Sequence, residues 1–172
     1  TAAHSTLVLA DTNSTAILPN GTLGKGVTEV EIDRRENEAG SRLEMSHDGY
    51  ARRHGLIHRR SLILLPSGRE LRGEDVLLPA PRARRRGSIG FALRFHLGLG
   101  ISVSLTADKQ GALLRIAGGP LWQFRCSDGE VAIEDSLWVD GEGRPHPIEQ
   151  LVVTGTSPAG GASVGWILKH IG

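Results

Sequence analysis

Phe91, Leu93, Phe95 and Leu97 alternate with Ala92, Arg94 and His96, and this period of two constrains the fold more than any other feature of the chain. Successive side chains of a strand point to opposite faces, so such a run buries one face and wets the other. Short β-type runs recur: Ser5 to Ala10, Gly26 to Ile32, Leu43 to His47, Leu56 to Leu65, and Arg69 to Leu78. Further on come Ile101 to Leu105, Leu113 to Ile116, Trp122 to Cys126, Val131 to Leu137, Ile148 to Thr154 and Ser163 to Lys169. Turn residues separate them: Asp11 to Ser14, Pro66-Ser67-Gly68, Asp108 to Gly111 and Asp128-Gly129. Asp-Gly between apolar runs predicts a hairpin. No stretch carries a 3.6-residue apolar stripe with caps at both ends. Strands about 8–12 residues apart, joined by hairpin turns, predict an all-β fold: one antiparallel β-sandwich over residues 1–172.

Along Leu56 to Leu65, Leu56, His58, Arg60, Leu62 and Leu64 share one face and Ile57, Arg59, Ser61, Ile63 and Leu65 the other. Both faces are apolar only toward the C-terminal end, which predicts that this end is covered on both sides.

A chain of 172 residues with 39% hydrophobic and 23% charged residues holds a sizeable core. The formal net charge of +1 marks no global field for nucleic acid, so a polyanion must meet a local cluster. No apolar run approaches the roughly 20 residues that span a bilayer. Cys126 stands alone, which excludes an internal disulfide and a cysteine-rich zinc site and leaves the compartment open. The chain opens on a strand without an initiator Met or a signal-peptide pattern, and reads as truncated on its N-terminal side.

Seven histidines are present, but no spacing among them places two ligands on one helix face, so the residues themselves outline no complete metal site. His47-Asp48-Gly49-Tyr50 is the densest polar constellation. A histidine and a tyrosine can serve β-elimination as base and acid. The competing reading makes Tyr50, the only tyrosine, a packed corner residue. Arg84, Arg85 and Arg86, in the loop Pro81 to Gly87, are candidates for contacting an acidic chain, since a guanidinium matches a carboxylate or sulfate with two parallel hydrogen bonds. A solvated loop is the alternative. Trp122, Trp138 and Trp166 suit either a sugar-stacking platform or the core. Phosphate-cradling loops, Gly-x-Ser-x-Gly, paired catalytic carboxylates and aromatic RNA-binding motifs are absent.

Taken in order, several segments resemble the heparinase II/III-like family. Ala3-His4-Ser5-Thr6-Leu7-Val8-Leu9-Ala10-Asp11 is similar to its His-Asn-Thr-x-x-x-Asp strand, followed by Ser46 to Tyr50 and Gly55 to Arg60. Leu71 to Asp75, Arg94 to Leu97, Ile133 to Ser136, Glu149 to Val152 and Trp166 continue the likeness. Ser5 stands where the family carries Asn, and Leu97-Gly98 where relatives often carry a second His. The resemblance implies the C-terminal sandwich of a polysaccharide lyase whose N-terminal α/α toroid lies outside this chain. Its substrates would be uronate-containing acidic polysaccharides, cleaved by β-elimination in a cleft between the two parts. It implies zinc or another divalent metal held by a His, an Asp and a second His, of which only the last, His4, falls here. The catalytic groups would also lie upstream, and the compartment would be periplasmic or secreted. Neither nucleic acid nor membrane is an expected partner. A non-catalytic carbohydrate-binding or structural module is the alternative.

Overall fold

The computed structural model describes residues 1–84 and 86–171. Twelve strands form among them: β1 (Leu7–Leu9), β2 (Val30–Asn37), β3 (Gly40–His47), β4 (Leu56–Leu64), β5 (Glu70–Pro79), β6 (Ile89–His96), β7 (Ile101–Leu105), β8 (Gly111–Ile116), β9 (Leu121–Cys126), β10 (Glu130–Val139), β11 (Pro145–Ser157) and β12 (Ala162–Ile171). One four-residue helix, α1 (Ala51–His54), interrupts them and ends on Gly55 in the left-handed conformation. No helix among the described residues is long and apolar enough to cross a membrane.

The strands pair into two antiparallel sheets, one of four in the order β1-β6-β11-β10 and one of eight in the order β2-β3-β4-β5-β12-β9-β8-β7. The expected all-β antiparallel sandwich is therefore the observed architecture. The alternation read from sequence supplies the layer between the sheets. Leu7, Leu9, Leu93, Leu151 and Val153 from the smaller sheet meet Leu56, Leu77, Phe124, Val164 and Trp166 from the larger. Burial of such side chains contributes about 1.5–3 kcal/mol each before conformational entropy is subtracted.

Two local expectations are corrected. Asp128-Gly129 is not a hairpin turn: β9 pairs with β8 and β12, whereas β10 pairs with β11, so the dipeptide carries the chain from one sheet to the other. Gly129 has φ +90°, and a Cβ there would sit 2.8 Å from the Thr154 carbonyl oxygen, so close packing against β11 accounts for the glycine. The second correction concerns β4, which is buried at its N-terminal end, where Leu56 and His58 are covered, and exposed at Ile63 and Leu64. His58 and Arg60 occupy the covered end because both bond to Asp75 there.

Candidate functional site: a buried histidine, aspartate and arginine network

Register brings the network together. In the larger sheet His47 of β3 pairs with His58 of β4, and Arg60 of β4 pairs with Asp75 of β5. Paired residues project to the same face, and here that face is the core. His58 and Asp75 are 3% and 1% exposed, so each must find partners or be costly to bury.

Asp75 takes the centre. Its Oδ1 lies 2.7 Å from His58 Nε2 and accepts from Arg60 Nε at 2.8 Å. Its Oδ2 accepts from the Trp166 indole N–H at 2.9 Å. Trp166 reaches it by lying over Gly73, where a Cβ would approach the indole to 2.1 Å. Burial alone raises the Asp75 pKa. The hydrogen bond from His58 and the Arg60 guanidinium outweigh it and hold the carboxyl below its ordinary range.

The ring protons follow from hydrogen bonding. The Gly49 N–H donates to His47 Nδ1 at 3.2 Å, which leaves the His47 proton on Nε2. That proton points at His58 Nδ1, 3.3 Å away, which must then accept. The His58 proton is consequently on Nε2, facing Asp75. On this pattern both imidazoles are neutral, and the row of bonds from Gly49 through His47 and His58 ends on the Asp75 carboxylate. Burial, with the His58 ring beside it, depresses the His47 pKa to about 4. Tyr50 stacks near His47, with ring centroids 5.6 Å apart, but its hydroxyl donates to the Leu7 carbonyl at 2.9 Å. Burial pushes that phenol's pKa up. Of the two readings of Tyr50, the packed corner residue is what the geometry gives. His58, Arg60 and Asp75 were not singled out from sequence, although a His and an Arg on the apolar face of Leu56, Leu62 and Leu64 signalled a buried polar cluster.

The network also fixes the segment that carries His4. Arg60 Nη1 donates to the Ser5 carbonyl at 2.6 Å. From the smaller sheet, the His96 amide donates to Ser5 Oγ at 3.0 Å and its Nε2 donates to the Ala2 carbonyl at 2.9 Å. His4 itself is exposed in the turn that closes on Thr1. Among the described residues no group of three or more His, Cys, Asp or Glu side chains could hold a metal ion, so the donors present in this chain do not fit a metal centre by themselves. Arg84 and Arg86 are exposed in the loop between β5 and β6, and Arg85 lies outside the described residues. Among the described residues no hydrogen bond or ion pair links either arginine to His4 or to the network. The three tryptophans form no common platform: Trp166 is in the core, Trp122 packs against it, and Trp138, 44% exposed, belongs to the other sheet.

Besides Arg84 to Arg86, the sequence offers Arg52 and Arg53, with Arg59 and Arg60, as charge for a polyanion, and the structure places the first two beside Lys25, Asp11 and Asp48. A groove of about 960 Å³ between the β1–β2 connection and α1 is lined by Asn13, Lys25, Arg52 and Arg53, among others. Thr1 bonds to Ser14 at its rim. The signal was Arg52-Arg53, adjacent in sequence but placed by a helix too short to show a period.

Comparison with known proteins agrees with the all-β sandwich fold. The profile of the family described as "Heparinase II/III-like, C-terminal" matches residues 1–167. The FtsZ-localized protein C of Caulobacter vibrioides is 31% identical over 182 aligned positions, covering 93% of this chain and 31% of that protein. Among solved structures, the heparan sulfate lyase HepC of Pedobacter heparinus superposes with a TM-score of 0.77 at 13% identity, over 98% of this chain and 24% of that one. A heparinase III structure gives 0.71 at 14% identity, over 98% and 23%. The chain thus spans about a third of the curated relative and about a quarter of the solved ones. With the family profile matching residues 1–167 and the sandwich fold shared with these structures, the chain belongs to the heparinase II/III-like C-terminal domain family.

Proposed function

We propose that this chain is the C-terminal sandwich of a polysaccharide lyase-like protein, forming one wall of a cleft for uronate-containing acidic polysaccharide. The observation that carries the reading is the commitment of the acid–base groups around the His47–Tyr50 constellation. His47, His58 and Tyr50 each spend their protons on partners inside the domain, so none is poised to take a proton from a sugar. In β-elimination a base removes the proton next to the uronate carboxylate and an acid protonates the departing glycosidic oxygen. On this reading both groups come from outside the chain.

The chain's contribution is a rigid wall and positive charge. Lys25, Arg52 and Arg53 line one groove, and Arg84 and Arg86, either side of Arg85 in sequence, are exposed in a loop; either set suits carboxylate or sulfate groups. His4, held by Arg60 and His96 through its neighbours, would give one ligand to zinc or another divalent metal whose remaining ligands precede Thr1. No step of the chemistry is assigned to that metal.

A non-catalytic binding or structural role has an observation of its own: the 31% identical relative is named for localisation to FtsZ. The assay is incubation of the natural gene product with heparin, heparan sulfate and alginate, following absorbance of the unsaturated uronate. Turnover on one of them is expected. Retention on a heparin column without turnover on any acidic glycan would favour the second reading. Replacing Arg52 and Arg53, or Arg84 and Arg86, by serine shows which cluster holds the chain.

A further inference from the structure

The two sheets differ in width, and the excess is apolar on the wrong side. In the larger sheet Val30 and Ile32 of β2 pair with His47 and Met45 of β3, which pair in turn with His58 and Arg60. Continuing across, these rows run into Leu77, Asp75 and Val164. Val30, Ile32 and Met45 therefore lie on the same face as the core. Yet Val30 is 61% and Ile32 67% exposed, because the smaller sheet stops at β1. Between them and the chain at Ser5 and Thr6 runs a groove of about 350 Å³, whose other walls include Val27, Met45 and Arg60. At its floor Arg60 Nη2 is buried and has no hydrogen-bond partner, although Nε and Nη1 are both engaged.

We infer that this groove is covered by an extended segment of the same protein preceding Thr1, packing apolar side chains on Val30 and Ile32 and offering an oxygen acceptor to Arg60. The inference rests on the reading of the chain as one part of a longer lyase-like protein. Three observations select this occupant. Ser5 and Thr6 line the groove, so residues shortly before Thr1 belong to the segment that borders it. Matched relatives are three to four times longer than the portion aligned here, which supplies such a segment. The exposed apolar positions alternate, Val30 and Ile32 with charged Glu31 and Asp33, as a strand or strap laid on one face requires.

The test uses the natural gene product. Ile32→Cys is compared with Glu38→Cys, at the exposed β2–β3 turn, for the rate of maleimide labelling read by peptide mass mapping. Labelling at position 32 at least tenfold slower than at position 38, at every protein concentration, is the expected result. Equal rates would overturn the inference. So would a gene with no residues before Thr1, or protection at position 32 that disappears on dilution, which would make a second copy the occupant. Ile32→Asp supplies a second reading: a lowered urea midpoint is expected, and an unchanged one counts against cover. None of these measurements involves glycan turnover, so an inactive but protected protein sinks the lyase reading alone, and an active but unprotected one sinks this inference alone.

Discussion

Asp75 accepts from an imidazole, a guanidinium and an indole, and few single atoms in the chain hold so much in place. Asp75→Asn leaves the buried Arg60 cation without its counter-charge. Breaking a buried pair in this way costs about 3–5 kcal/mol, and a urea midpoint measured against wild type should show a loss of that size. His47 provides a pH test. Burial holds its pKa at about 4 in the folded chain against the ordinary histidine value of 6.5, so the folded state binds fewer protons between these values. The stability this difference represents is present above pH 6.5 and is lost as the pH falls toward 4. The ring is half-buried, and screening reduces the full linkage to about 2 kcal/mol. Urea midpoints at pH 7.5 and pH 5 should differ by that order in wild type, and the difference should shrink in His47→Gln. Both residues were visible in the sequence, but only His47 drew attention. What made His58 and Asp75 meaningful was cross-strand register, which period-two alternation does not encode.

Strands were legible because alternation and turn residues agree along most of the chain; one error fell where the two sheets exchange the chain and the other within β4. Asp128-Gly129 carries the composition of a hairpin, yet the residues on either side pair with different partners. In β4 the sequence placed cover at the apolar C-terminal end, whereas Arg60 and His58 mark the covered end because both pair with Asp75 there. Gly73 is the matching case within β5. It leaves room for Trp166 to lie flat and reach Asp75, so Gly73→Ala forces the indole aside. Overpacking of this kind costs about 1–3 kcal/mol. Trp166 fluorescence and the thermal midpoint should both shift. Tyr50→Phe removes only the bond to the Leu7 carbonyl and should cost about 1 kcal/mol, with the spectrum of the core unchanged.

For the whole molecule, the polar network acts as a staple between layers. Arg60 and Tyr50, from the side of the larger sheet, bond to Ser5 and Leu7 at the start of the smaller one. This arrangement gives the buried histidines, Arg60 and the single tyrosine a structural task in joining the two sheets. Sequence blocks identified the family, because their order survives where single residues drift. Which groups were free and which committed was not legible, since that depends on distances across strands. The account turns on His47 and His58 both being neutral rings protonated on Nε2. A long-range proton–nitrogen NMR spectrum of the ¹⁵N-labelled protein at pH 7 reads this directly. Two histidines with the Nε2–H pattern, assigned by loss of signals in His47→Gln and His58→Gln, are predicted. A proton on Nδ1 of either ring, or a His47 that titrates near pH 6.5 in the folded protein, would contradict the account.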